Sequence, residues 1–375
     1  MAEHLPSEAV TPGAADTQPA GTQPADLGAE AYLYDLWYLA MPGQRLKTGR
    51  LMAMTLLGEP LVFGRDHAGK PFALRDICPH RGVPLSYGAF DGKEIECCYH
   101  GWRFDRDGKC VGIPTLIAGQ DFDLSKIRVA SYPCREKQGN IWVFMAGRRP
   151  PGAGTEASAD IPTIPGLGER YGYLAVTLRF PCPIDDAVIG LIDPAHVPNV
   201  HRSWWWRPAR TAHEKSKRFA PSELGFTMCR HTPSANSKAY RLLGGAPETE
   251  ITFRLPGIRT DHIQTGRHVF CNLTAMTPVG PEETEVTNVL YWTVPWLTPF
   301  KPWLWLIARK FLGQDRHILA LRQEGMAHHP PLMLVDDADR QAKWYYRIKK
   351  EWTSSRKENR PFVNPVKERT LRWRT

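Results

Sequence analysis

Two short segments constrain this chain more than any other feature: Cys78-Pro79-His80 and, after sixteen further residues, Cys97-Cys98-Tyr99-His100. Each offers one thiolate and one imidazole. Two Cys and two His are enough for a single tetrahedral zinc. The CxH step and the CxxH turn suit instead two β-loops, each presenting one Cys and one His. That is the donor set of a [2Fe-2S] cluster in which two thiolates hold one iron and two imidazoles the other. Cys98 is out of step with the CxxH turn and reads as a small buried apolar residue. The other cysteines, at 110, 134, 182, 229 and 271, have no ligand-like neighbours.

The surroundings of the two segments are strand-like. From residue 30 to residue 150, short apolar runs such as PLVFGRDHAGKPFALRDICPH and GNIWVFMAG are broken by Gly, Pro and Asp turns, which predicts an all-β domain. Residues 1–29 are rich in Ala, Pro, Gly, Thr and Gln and read as a disordered tail. Pro, Gly and Ala dominate GRRPPGAGTEASADIPTIPG, which makes 151–166 a linker. Over 167–375, runs such as YLAVTLRF, TEITFRLP, HVFCNLTAM and TEVTNVLYW alternate with helix-like segments near 184–192, 300–328 and 336–352. The expectation is an α+β fold: an all-β domain, then a catalytic domain with an antiparallel sheet flanked by helices. There is no GxGxxG and no phosphate-binding loop, so any NAD(P)H is oxidised by a partner.

Composition narrows the functional classes. No basic, apolar leader opens the chain, so a cytoplasmic location is expected and the eight cysteines are not read as a disulfide framework. The formal charge is +9, and residues 341–375 hold eleven Lys or Arg against three Glu, a basic carboxy-terminal tail. No nucleic-acid recognition fold accompanies that tail, and a docking surface for an acidic electron-transfer protein fits it better. The apolar stretch from Val294 to Phe311 contains Pro295, Pro299, Lys301 and Pro302, so it is not a spanning helix. It suits a core, a subunit contact or a membrane surface. With Ser203-Trp204-Trp205-Trp206 it suggests an apolar, polycyclic, aromatic or lipid-like substrate and peripheral membrane contact.

Further along comes Asp193-Pro194-Ala195-His196-Val197-Pro198-Asn199-Val200-His201. Two neutral imidazoles and one carboxylate on one side of a ferrous ion leave positions open for O₂. The third ligand has to come from elsewhere in the chain.

CPHRG followed by CCYHGW resembles the cluster-binding signature of the Rieske domains of ring-hydroxylating oxygenases. The respiratory type carries an extra Cys in each loop, forming a disulfide, where this chain has Val83 and Tyr99, and a cluster-bonding Ser where it has Trp102. Fewer hydrogen bonds to the sulfurs imply a lower potential. The segment 187–203 likewise resembles the DPxHxxxxH stretch of Rieske non-haem iron oxygenase catalytic subunits.

That resemblance implies that Cys78, His80, Cys97 and His100 hold the cluster and that His196 and His201 bind the mononuclear iron. It implies that Asp193 bridges His196 to His100 of a neighbouring chain in a homotrimer. It also places the carboxylate ligand in a late helix, where Asp315 of LGQDRHILALRQEG shares a face with Phe311, Ile318, Leu319 and Arg322. Asp336, Asp337 and Asp339 read as the cap of the last helix. A departure lies at Ile189 and Gly190, where family members often have Asn, and Asp185 or Asp186 is a candidate replacement. A single chain with both centres is closest to the homo-oligomeric monooxygenase and demethylase branch. The implied activity is O₂-dependent hydroxylation or oxidative demethylation, with electrons from a ferredoxin or flavin reductase. The rivals are a cis-dihydroxylating dioxygenase and a pure electron carrier, which would need little beyond residues 30–150.

Overall fold

The computed structural model describes residues 32–147 apart from 118 and 121, then 160–201, 214–233 and 247–374. The expected amino-terminal tail, most of the expected linker and the Ser203–Trp206 run lie outside the described residues.

Eleven short strands come first: β1 (Leu36–Pro42), β2 (Leu51–Leu56), β3 (Glu59–Arg65), β4 (Pro71–Arg75), β5 (Ala89–Phe90), β6 (Glu94–Glu96), β7 (Arg103–Asp105), β8 (Cys110–Gly112), β9 (Ser131–Tyr132), β10 (Cys134–Lys137) and β11 (Asn140–Met145). They form three sheets, ordered β1-β11-β10, β2-β3-β4-β9 and β5-β6-β7-β8. Every residue of β1 is buried, although LWYLAMP shows no polar alternation. The pleat explains this: Leu36, Tyr38 and Ala40 enter one core, while Trp37 and Leu39 enter another with Trp142 and Phe144 of β11. A third, smaller core of Val62, Leu74, Leu85, Ile95 and Phe104 closes around Cys78 and Cys97.

The second part of the chain builds one sheet from β12 (Gly172–Phe180), β13 (Glu214–Ser222), β14 (Gly225–His231), β15 (Pro247–Arg254), β16 (Ile258–Thr265), β17 (His268–Gly280), β18 (Glu283–Trp292) and β19 (Arg369–Arg374). It is antiparallel, in the order β12-β18-β17-β16-β15-β14-β13-β19. Among the described residues the α-helices are α1 (Ile184–Ile192), α2 (Val197–Val200), α3 (Lys301–Met326) and α4 (Arg340–Lys357). This is the expected α+β arrangement. Leu273, Val289 and Tyr291 of the large sheet share a core with Trp37 and Trp142, so the two sheets are packed face to face. Hydrogen bonds cross the same seam: Thr277 Oγ1 donates to Leu39 O at 2.8 Å and Tyr173 OH to Asn140 Oδ1 at 2.8 Å.

Several expectations change. Ile161 and Ile164, inside the expected linker, are buried in that shared core, and Gln138 holds Ile164 through two backbone hydrogen bonds. The basic segment 341–375 is not a tail: it forms α4 and the edge strand β19, which pairs with β13. Its cations meet acids distant in sequence, Lys349 with Asp185 at 2.7 Å, Arg369 with Asp337 at 2.9 Å, and Arg372 with Glu214. The last helix starts at Arg340, and its N-cap residue Asp339 makes no side-chain cap; Asp339 accepts from Val335 N at 2.6 Å instead. Cys98 is exposed, not buried.

Phe226, 1% exposed, meets the rings of Phe253 and Trp344 with centroids 5.4 and 5.3 Å away. Phe226→Ala should therefore cost about 3–5 kcal/mol of stability, read from urea denaturation of the metal-loaded protein.

Candidate metal centres

The two Cys/His segments repeat one backbone plan. Cys78 N donates to Val83 O at 2.9 Å and Gly82 N to Cys78 O at 2.9 Å, while Cys97 N donates to Trp102 O at 2.8 Å and Gly101 N to Cys97 O at 3.0 Å. Gly82 and Gly101 adopt φ of +74° and +69°, a conformation that strains any residue with a Cβ. The result is a pair of matching loops that bring Cys78, His80, Cys97 and His100 to one place, walled by Val83, Tyr99 and Trp102.

The imidazoles are held by stacking. Their centroids lie 4.5 Å apart; Trp102 lies flat on His80 at 4.5 Å and 4°, and Tyr99 packs on His100 at 3.9 Å. Burial and the neighbouring Cys97 push the Cys78 thiol up to about 11, while backbone N–H groups of His80 and Arg81 pull it down. Donors aimed at a sulfur favour thiolate, the form that ligates metal. Asp76 braces the first loop, accepting from Ser86 N at 2.7 Å and Ser86 Oγ at 2.6 Å.

The second centre starts where α1 stops. Asp193 is extended, with φ −64° and ψ 122°, as the residue before a proline should be, and the chain then turns through the short α2. His196 and His201 flank that turn. Asp315, on α3, approaches both: its Oδ1 lies 3.6 Å from His196 Nε2 and 3.1 Å from His201 Nε2. One ligand atom from each of the three lies within 4.8 Å of the others. Two imidazole nitrogens and a largely buried carboxylate converging in this way fit a divalent transition metal.

Neighbours orient these donors. His201 Nδ1 donates to Gln314 Oε1 at 3.0 Å, which leaves Nε2 free to ligate, and Phe311 stacks on the His201 ring at 3.6 Å. Asp193 Oδ2 lies 3.7 Å from His196 Nδ1, a buried nitrogen without a hydrogen-bond partner. The other Asp193 oxygen accepts from Ala195 N at 2.6 Å.

The three donors open into a cavity of about 340 Å³ between α3 and the sheet. Leu304, Ile307, Ala308, Phe311 and Leu312 form its roof, and Asp315 continues that same helical stripe. The floor carries polar Asn272, Thr274 and Asn288 on β17 and β18, beside apolar Ile263 and Leu290. Ile318, expected on the Asp315 face, is exposed; Leu319 is buried. Asp185 and Asp186 do not reach the cavity: they pair with Lys349 and Arg322, fixing α1 to α4 and α3. Gln314 and the polar floor were missed at the level of sequence. An amide beside a ligating acid was the one available signal.

Comparison with known proteins agrees with this layout. Residues 36–133 match the Rieske [2Fe-2S] domain family. Chlorophyllide a oxygenase of Chlamydomonas reinhardtii is 35% identical over 182 residues, 48% of this chain. The chain spans about a quarter of that relative's length, 26%. The 4beta-methylsterol monooxygenase of Methylococcus capsulatus is 28% identical over 78% of this chain and 81% of its own. The solved structure of dicamba monooxygenase shares the fold, with TM-score 0.65 at 21% identity, covering 88% of this chain and 98% of that one.

Fold and donors together define a Rieske iron–sulfur domain joined to a second domain with a histidine–carboxylate metal site. Residues 36–133 are a Rieske [2Fe-2S] domain, and the chain is similar to oxygenases along much of its length. Its implied cofactors are a [2Fe-2S] cluster and a mononuclear non-haem iron, and both donor sets fit them.

Gln314→Leu should weaken iron retention 10–100-fold, as loss of an orienting hydrogen bond does, without changing the cluster's visible spectrum. Iron analysis after chelator dialysis checks it.

Proposed function

We propose that the chain hydroxylates or oxidatively demethylates an apolar organic substrate with O₂. The observation that carries this is the opening of the His196, His201 and Asp315 donors into an apolar-roofed cavity. When bound, the cluster supplies single electrons and the ferrous ion a place where O₂ is reduced. Cys78 and Cys97 are the thiolate ligands of the cluster, His80 and His100 its imidazole ligands. His196, His201 and Asp315 would hold the second iron at the wall of the cavity. The α3 roof excludes water and lays an apolar body against the three donors.

Asp193 is a positioning residue. Beside His196, with one oxygen on Ala195 N, its carboxylate is suited to accept a hydrogen bond from His196 Nδ1–H and to meet the half-buried His100 of a neighbouring chain. This reading makes the protein a homotrimer fed by a ferredoxin or flavin reductase. A carrier would not need the cavity. Among the relatives, one is named for a methylsterol, one for chlorophyllide a, and one, from Ciona intestinalis, is a cholesterol 7-desaturase, all polycyclic compounds.

Peripheral membrane contact is supported by the outward side of α3 and the turn before it. Trp296, Phe300, Trp303 and Leu306 are exposed there, with Lys301, Arg309 and Lys310 nearby in the chain. No helix among the described residues is long and apolar enough to cross a membrane.

Three tests follow from these roles. Iron analysis should find about three irons per chain, against about two for a carrier, with a Rieske EPR signal on reduction. Asp193→Asn should keep both metals and lose product formation, measured as substrate oxidised per electron supplied; normal rates would exclude the bridging role. In flotation at low salt the protein should rise with anionic liposomes, and its absence from them would exclude membrane contact.

A further inference from the structure

The donors of the second metal site hang on two helices, and matching rows of residues join those helices. On α1, Asp186 and Gly190 lie one turn apart on one face, with Asp193 just past the helix end; on α3, Asp315, Leu319 and Arg322 form one stripe. The two rows meet in opposite order. Asp186 pairs with Arg322, Gly190 faces Leu319, and His196, just beyond Asp193, meets Asp315. The helices therefore run antiparallel, with metal donors at one end of their contact and an ion pair at the other.

The ion pair is a fixed point. Asp186 Oδ2 accepts from Arg322 Nη1 and, at 2.7 Å, from Gln323 Nε2. The Asp186 and Arg322 side chains are only 13% and 24% exposed, so water and salt screen the pair little. Arg322 lies about 10 Å from Asp315 along the axis of α3, so the pair limits how far the ligand end of the helix can slide.

Between the two ends the helices come close. A Cβ at Gly190 would lie 3.0 Å from Leu319 Cδ2 and 3.4 Å from Cδ1, and Leu319, 4% exposed, has little room to withdraw. The departure at residue 190 thus has a packing reason. A bare backbone there lets α3 approach α1, and Asp315 with it approach His196 and His201.

The neighbouring carboxylate serves a different helix. Asp185 accepts from Tyr345 OH at 2.5 Å and from Lys349 Nζ at 2.7 Å, both on α4, which supplies none of the three donors. Two adjacent acids on one turn of α1 are thus comparable anchors, and only that of Asp186 leads to a donor helix.

We propose that Asp186 and Gly190 are positioning residues of the metal site. The ion pair fixes the slide of α3 along α1, the glycine fixes their separation, and together they set the approach of the Asp315 carboxylate to His196 and His201. This rests on the reading of those three residues as iron ligands.

Ferrous iron binding to the cluster-loaded protein, measured by equilibrium dialysis at graded iron concentration, tests it, and the visible spectrum of the cluster reports an intact fold. Asp186→Ala should raise the dissociation constant of the mononuclear iron about 10–100-fold, the range for losing a group that orients a ligand. Asp186→Asn, which keeps an acceptor for Gln323 and Arg322, should stay near wild type. Asp185→Ala controls for stability alone: its melting temperature should fall while its iron binding stays near wild type. Gly190→Val should weaken iron binding by a factor similar to that of Asp186→Ala, and adding Leu319→Ala, which makes room for the new side chain, should restore most of it. Should Asp186→Ala not fold, the Gly190→Val and Leu319→Ala pair carries the same test.

Wild-type iron affinity in folded Asp186→Ala or Gly190→Val, no recovery on adding Leu319→Ala, or an equal loss in Asp185→Ala would overturn the positioning role and leave the ligand reading standing. A wild-type chain with an intact cluster that binds no mononuclear iron would overturn both.

Discussion

The face-to-face packing of β1 and β11 on the large sheet is the contact on which the rest of the structure depends. Trp37, Leu39, Trp142 and Phe144 on one side meet Tyr173, Leu273, Val289 and Tyr291 on the other. Burial of aromatic and branched side chains at this seam ties the two parts of the chain together, and such burial scales with area removed from water. Because the other face of β1 also enters a core, the layer has no solvated side.

Much of this was legible in the sequence, for reasons that differ by element. The gathering of Cys78, His80, Cys97 and His100 was, because each Cys/His pair is local and each loop closes on a glycine four residues after its Cys. Four strands of the large sheet, β12, β15, β17 and β18, were, because β-branched runs bounded by turns have few alternatives. His196 and His201 were visible as a pair, but Asp315 lies more than a hundred residues away, and only the resemblance and its helical stripe pointed to it.

What escaped the sequence depends on contacts between distant residues. The basic carboxy-terminal segment looks like a solvated tail until Asp185, Glu214 and Asp337 are seen opposite its cations. The polar floor comes from strand register, since Asn272 and Asn288 are ordinary strand residues until pairing sets them side by side. Cys98 went wrong for a local reason: a chain position next to a buried ligand is, in a tight loop, a position that points the other way.

The single stripe on α3 that supplies both the roof and Asp315 has a consequence for how this scaffold can change. Any substitution on the roof that rolls or slides the helix also moves Asp315 relative to His196 and His201, so enlarging the cavity from above loosens the candidate metal centre. The floor carries no such penalty, since Asn272, Thr274 and Asn288 sit on strands whose positions are set by backbone pairing. New substrate preferences are therefore more readily acquired from below, by exchanging strand side chains, than from above. The fold divides its cavity into a half that is free to diverge and a half held to one chemistry.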